Sequence, residues 1–124
     1  MADCCELEEN LKQIYTVAVV GDTPKKGEKI RYRVWGYYFK RSEATACVKG
    51  NWTDISELGY YRYGVITGLG EGPIAIGKKL AWYEFVWNRK TKPRKHDGIR
   101  VPELVEVRPI KAPKAYEHHF FGLG

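Results

Sequence analysis

The fold is indicated most clearly by residues 29–39, KIRYRVWGYYF, in a chain of 124 residues. Apolar and basic residues alternate along this stretch, and successive side chains of a β-strand point to opposite faces. The face that carries the basic residues would hold Arg31, Arg33 and Trp35. Gly36 interrupts the alternation and indicates a bulge or a bend. The stretch therefore predicts an amphipathic strand in a mainly β protein.

Other short runs rich in Val, Ile, Tyr and Trp are separated by glycine and proline, which mark turns. We expect strands at residues 15–20, 44–48, 60–69, 74–76, 79–87 and 101–108, with a single helical turn at 54–58. Short strands joined by tight turns are typical of small antiparallel barrels of the SH3-like or OB-like kind. The sequence predicts such a barrel over residues 15–108, and a sandwich is the alternative.

One helix is expected before the barrel, over residues 1–14. Its apolar residues fall at spacings of three and four, which places Cys4, Leu7, Leu11 and Ile14 on one stripe. Asp3 can cap the helix, because an aspartate side chain accepts hydrogen bonds from the first backbone N–H groups. The whole chain is then a single domain.

Residues 109–124 are expected to form an extended C-terminal arm. They contain Pro109 and Pro113 and end in an aromatic segment that is more hydrophobic than a free tail. The arm would dock on its own barrel or insert into a neighbouring subunit, in which case the protein is a homo-oligomer.

Composition excludes several classes of protein. A hydrophobic content of 44% with 14% aromatic residues is untypical of disorder. No apolar run approaches the roughly 18 residues that a membrane span requires. The first residues are acidic and do not resemble a secretory signal, so we expect a cytoplasmic protein with reduced cysteines.

The net charge of +6 is unevenly distributed. Residues 24–50 and residues 76–124 each carry a net charge of +6, whereas residues 1–14 carry −3. The first basic region contains the face of Arg31, Arg33 and Trp35. The second contains a polar loop, expected over residues 88–100, with Arg89, Lys90, Lys92, Arg94 and Lys95.

Both basic regions predict contact with nucleic acid. Clustered Lys and Arg side chains attract a phosphate backbone by releasing counterions, and exposed aromatic rings stack on bases. We expect these residues to bind single-stranded or structured nucleic acid. An acidic protein partner, which would make the protein an adaptor or inhibitor, is an alternative. The same charges could also serve only to keep strand edges soluble.

A second functional hypothesis concerns a glycine-rich loop that contains Gly68, Gly70 and Gly72. Glycine lets backbone N–H groups approach an anion closely, and Lys78 and Lys79 follow just beyond the loop. The loop is not a P-loop or a dinucleotide-binding fingerprint, because a proline and a strand follow it instead of a helix. It would bind or sequester a small nucleotide-like anion.

No motif of the sequence predicts catalysis, a metal or a cofactor. Glu84 interrupts an aromatic strand and is expected to point to solvent, or to have a raised pKa if it is buried. Cys47 is expected to be a small core residue. The cysteines and histidines lack the close pairs that structural zinc sites use. A protein that binds without catalysing is therefore expected.

Overall fold

The structure is a computed structural model that describes residues 13–70, 77–93, 98, 100–119 and 121. Five antiparallel strands form one sheet with the order β2-β1-β3-β4-β5. The strands are β1 (Gln13–Val20), β2 (Tyr32–Tyr38), β3 (Tyr63–Gly70), β4 (Gly77–Pro93) and β5 (Arg100–Ile110). Helix α1 (Arg41–Lys49) follows β2, and short 3-10 helices cover Trp52–Asp54 and Lys114–Tyr116.

The mainly β character and the antiparallel pairing are confirmed, but the predicted barrel is wrong. Within the described ranges β2 and β5 are the two edges of the sheet and do not pair with each other. Each face of the sheet instead has its own hydrophobic cluster. Strand β1 shows why, because its side chains are buried continuously from Thr16 to Val20. A strand that is covered on both faces needs no barrel interior to bury its apolar residues.

The structure confirms that β2 is a strand and that it has a bulge at Gly36. Val17 pairs with Gly36 and Ala18 pairs with Val34, so Trp35 is the extra residue of a bulge beside the glycine. The strand itself begins at Tyr32. The ring of Trp35 packs against the cluster that contains Val17.

Residues 44–48 form part of helix α1, so the strand predicted for them is wrong. Ala44, Cys47 and Val48 are the buried residues of this helix, at spacings of three and four. They pack on the sheet together with Val17 and Val19. Five residues were too short a stretch to separate this helical spacing from alternation. We call the sheet surface under α1 the helix face.

The segment that follows α1 completes the cover of the helix face. The predicted turn of helix at 54–58 is wrong, because the 3-10 helix ends at Asp54 and non-helical turns follow. The Asp54 carboxylate accepts a hydrogen bond from the Leu58 N–H at 3.1 Å, and the Asn51 side chain accepts one from the Ser56 N–H at 3.0 Å. Asn and Asp side chains commonly replace backbone partners in this way. Ile55 and Ser56 are thereby held in the core.

The C-terminal arm covers the opposite surface of the sheet, which we call the arm face. Tyr116 and Phe121 are buried there, and the Tyr116 ring stacks on Trp82 with centroids 6.0 Å apart. The Tyr116 hydroxyl donates to the backbone oxygens of Gly21 and Asp22, both at 3.0 Å. Of the two expectations for the arm, docking on its own chain is the one observed. These two rings are consequently not displayed to a neighbouring subunit.

The arm and the N-terminal helix differ from their predicted limits. Residues 109 and 110 still belong to β5, so the arm begins after Ile110. The helix predicted for residues 1–14 lies outside the described residues, except that Gln13 and Ile14 belong to β1. Among the helices that the structure describes, none has the length and apolar character needed to cross a membrane.

Candidate nucleic-acid interface

Strands β4 and β5 continue beyond the rest of the sheet as a two-stranded ribbon. β4 pairs with β3 as far as the Tyr63–Glu84 pair, and the Phe85 N–H still donates to the Arg62 oxygen at 2.9 Å. From Val86 to Pro93 the partner strand of β4 is β5, and the register shifts between Asn88 and Lys92, so residues 89–91 form a bulge. Trp87 and Leu104 at the base of the ribbon still pack against the hydrophobic cluster of the helix face. The part that extends beyond them, residues 88–93 with residues 100–103, is about 13 Å long at 3.3 Å per residue of β5.

The ribbon contains the basic segment of the second region. Residues 88–93 belong to β4 and Arg100 begins β5, so the predicted loop over 88–100 is wrong for these positions. Arg89, Lys90 and Lys92 therefore lie in the outer half of β4. Arg94 and Lys95 lie outside the described residues and connect the strands in sequence. Residues 86–106 contain six Lys or Arg and three Asp or Glu residues.

The first basic region lies at the start of β2, where the arginines contact aromatic rings. The Arg33 guanidinium lies over Trp35, 5.6 Å from the ring centroid, which confirms that the two residues share a face. Arg33 also pairs with Glu57 at 3.6 Å and keeps 56% of its side chain exposed. The guanidinium of Arg31 lies 4.8 Å from the centroid of Tyr60.

The strand register places Arg31, Arg33 and the ribbon at the same end of the sheet. One row of paired residues crosses all five strands there, and it consists of Tyr32, Val20, Tyr63, Glu84 and Arg108. Arg31 immediately precedes this row in β2, and the ribbon continues beyond it in β4. Three strand spacings of about 4.8 Å separate β2 from β4, or about 14 Å. The two regions can therefore contact one extended ligand.

Glu84, which belongs to the same row, forms ion pairs where the ribbon leaves the rest of the sheet. Glu84 is 9% exposed, accepts a hydrogen bond from the Arg62 Nε at 2.8 Å, and accepts another from Arg108. Arg62 in turn donates to Asp22 at 2.9 Å. Burial opposes ionisation of Glu84, but the hydrogen bonds from Arg108 and Arg62 outweigh it, so its pKa is lowered.

Both expectations for Glu84 are consequently wrong, since the side chain is neither solvent-directed nor raised in pKa. Sequence reasoning also missed its partners, Arg62 and Arg108. They lie 22 and 24 residues away along the chain. Only the strand register brings three such distant positions together, and no local pattern in the sequence reports it.

The structure keeps only some residues of the glycine-loop hypothesis together. Gly68 and Gly70 belong to β3 and not to a loop, whereas Gly72 lies outside the described residues. Lys79 Nζ donates to the Tyr116 oxygen at 3.1 Å and to the Glu117 oxygen, so it is committed to the arm. Lys78 lies beside the two glycines at a cavity on the helix face.

That cavity has a volume of about 410 Å³ and lies at the opposite end of the sheet from the ribbon. Its lining includes Tyr15, Arg41, Gly68, Gly70, Lys78 and Leu80. Sequence reasoning missed Arg41, because α1 was not recognised as a helix that would carry its first residue over this end of the sheet. The hypothesis thus retains Gly68, Gly70 and Lys78 and gains an arginine.

Cys47 and Tyr38, two side chains of types that enzymes use in catalysis, contact each other in the structure. Cys47 is buried, and burial raises the pKa of its thiol, so the nucleophilic thiolate is disfavoured. A hydrogen bond with Cys47 and burial raise the pKa of Tyr38 to about 12. Within the described ranges, no three His, Cys, Asp or Glu side chains come together as metal ligands would.

Comparisons of the chain with models of protein families, with curated proteins and with solved structures found no match. The function must therefore be inferred from the geometry of the chain itself.

Proposed function

We propose that this protein binds nucleic acid, with the β4–β5 ribbon entering a groove of a double-helical segment. The observation that carries the proposal is that the basic segment around Arg89 lies in the outer part of β4, at a bulge of the two-stranded ribbon. The major groove of a double helix is wide enough to admit a two-stranded β-ribbon. Arg31 and Arg33 would contact the phosphate backbone beside the groove.

The charge of the ribbon supports this proposal. The sequence from 86 to 106, which contains both strands of the ribbon, has six Lys and Arg residues and three Asp and Glu residues. A narrow two-stranded element brings like charges close together, and that repulsion is relieved when phosphates replace small counterions. Binding of this kind depends on the phosphate backbone and weakens steeply with salt.

Two aromatic rings beside the basic end of the sheet have a face covered by an arginine, which limits the stacking that a single strand would need. Single-strand binders stack bases on open ring faces. The ring of Trp35 packs on the core with Arg33 over it, and Arg31 lies over Tyr60. These two rings are already in contact with guanidinium groups, whereas Tyr32, between the two arginines, remains 44% exposed. Phosphate contacts are therefore proposed as the main source of affinity, with stacking on Tyr32 as a smaller one.

Fluorescence anisotropy with a labelled duplex and with each of its single strands tests the proposal. We expect the duplex to bind more tightly than either strand, and its affinity to fall steeply from about 50 to about 200 mM salt. The variant Arg94→Ala/Lys95→Ala should bind about tenfold more weakly and reduce the slope of log affinity against log salt by about two.

The matched control is Lys111→Ala/Lys114→Ala, which removes the same charge from exposed positions of the arm. It should change affinity by about twofold or less. Absence of duplex binding at low salt would overturn the proposal. An equal loss in both double variants would show that total charge acts instead of the ribbon.

A further inference from the structure

The cavity at the far end of the sheet is produced by two glycines of the central strand. Gly68 pairs with Tyr15 of β1 and with Lys78 of β4, so the three residues form one row across the helix face. Gly70 pairs with Gln13 in the next row on this face. Residues two apart on a strand share a face, and without side chains these glycines leave a trough between β1 and β4.

Backbone atoms therefore form the floor of the trough. The free space above Gly70 is larger than the free space above Gly68. A Cβ atom at Gly70 would meet no heavy atom within 4 Å. At Gly68 it would approach Leu80 Cδ1 at 3.2 Å and the Tyr15 ring at 3.9 Å. The space above Gly70 is thus the part of the cavity that a small side chain would fill.

The walls combine two cations with an apolar surface. Arg41 reaches the cavity from the first residue of α1, and Lys78 reaches it from β4. Tyr15 and Leu80 supply the apolar part. None of the described residues that line the cavity is acidic, so an anion would meet no opposing carboxylate there.

We propose that this cavity binds a nucleoside monophosphate, with its phosphate between Arg41 and Lys78 and its base against Tyr15 and Leu80. The guanidinium and the ammonium match the double charge of a phosphate monoester, and an arginine can bind two of its oxygens. A cavity of about 410 Å³ falls in the range of small-molecule sites. The site is separate from the ribbon and does not depend on the proposed nucleic-acid binding.

Isothermal titration calorimetry of the full chain with the common 5′-nucleoside monophosphates tests this proposal. Inorganic phosphate and the corresponding nucleosides are titrated separately. We expect at least one nucleotide to bind, and its nucleoside and phosphate each to bind about tenfold more weakly, because each lacks one half of the contacts. No binding by any nucleotide, or phosphate binding as tightly as the nucleotides, overturns the proposal.

Two variants test whether the nucleotide binds in the cavity. Gly70→Val fills the open space in a strand where valine is favoured, so it should fold and lose nucleotide binding. Lys78→Ala should weaken binding about tenfold, whereas Lys49→Ala, at the exposed far end of α1, should not change it. A Gly70→Val protein that folds and binds as the original chain does would contradict the proposal.

The ribbon variant Arg94→Ala/Lys95→Ala separates this proposal from nucleic-acid binding. It should bind the nucleotide with unchanged affinity even where duplex binding is weakened. If the nucleotide is lost together with the duplex, the nucleotide binds at the ribbon and the proposed cavity site is wrong. If duplex binding is absent from the original chain while nucleotide binding persists, only the function proposed for the ribbon fails.

Discussion

The two ends of the sheet hold their cations in different ways. At the ribbon end, Arg62 and Arg108 converge on the buried Glu84, so two guanidinium groups are committed to one carboxylate. At the cavity end, Lys79 is committed to the backbone oxygens of the arm, while its neighbour Lys78 lies at the cavity. Each end therefore combines cations that hold the fold with cations that we propose to contact a ligand.

The comparison shows that net charge does not locate a binding surface. Both ends belong to basic parts of the sequence, but strand register decides which cations meet a carboxylate and which meet an open surface. Lys78 and Lys79 are adjacent in sequence and point to opposite faces because they belong to one strand. Substitutions of Glu84 at one end, and of Lys79 and Lys78 at the other, test whether the two ends respond as differently as their geometry implies.

The largest effect is expected for Glu84→Gln, which removes the charge that holds the ribbon end together. Two guanidinium groups would lose their common anion, and breaking such a buried ion pair costs up to several kcal/mol. Because Arg62 and Arg108 remain 47% and 53% exposed, water can replace part of the loss. We expect the free energy of unfolding in urea to fall by about 2 to 3 kcal/mol.

Glu106→Gln is the matched control, because Glu106 lies on the neighbouring strand with an exposed side chain. Its substitution should change the free energy of unfolding by about 0.5 kcal/mol or less. Similar decreases in the free energy of unfolding for the two variants would show that the ion pairs of Glu84 do not stabilise the ribbon end.

The second effect is the pH dependence of the same ion pairs. The pKa of Glu84 is lower in the folded than in the unfolded chain, so its stabilisation is complete above the unfolded pKa, about 4.3 for a glutamate. It is lost as the pH falls through the folded pKa. The stability difference between the original chain and Glu84→Gln, measured in urea, should be constant near neutral pH and shrink below about pH 4. A difference that widens in acid would contradict the assigned ion pairs.

Local patterns predicted those parts of the fold that depend on neighbouring residues. Alternation identified β2, and Gly36 marked its bulge. The extent of β4 was not predictable in this way, because residues 88–93 are polar and resemble a loop. They are in a strand because β5 pairs with them, and such pairing between distant segments leaves no local pattern in either.

The candidate sites, like the fold, could be predicted only where they depend on residues that are close in sequence. The basic composition of Arg89 and its neighbours was visible in the sequence, but their position on a projecting ribbon was not. Gly68, Gly70 and Lys78 were predicted together as an anion site in a loop; the structure places them in neighbouring strands, where Gly68 pairs with Lys78. Arg41 was missed because it reaches the cavity through the packing of α1 on the sheet. Sequence thus identified charges and glycines, whereas tertiary packing decided which of them meet.

The smallest effect, and the most direct test of the cavity end, compares Lys79→Ala with Lys78→Ala. Lys79 donates to two arm carbonyls, so its loss leaves those oxygens without that donor and should lower the free energy of unfolding by about 1 to 2 kcal/mol. Lys78 is exposed, and its loss should cost about 0.5 kcal/mol or less. Both variants are measured by urea unfolding in the same buffer.

Each substitution removes one ammonium group from the same strand, so the two variants have the same net charge. A difference between them therefore reports the face on which each lysine lies and not electrostatic repulsion across the basic chain. Equal stabilities would mean that Lys79 does not hold the arm. A larger loss for Lys78→Ala would mean that the lysine at the cavity is itself committed to the fold, which would remove it from the proposed phosphate site.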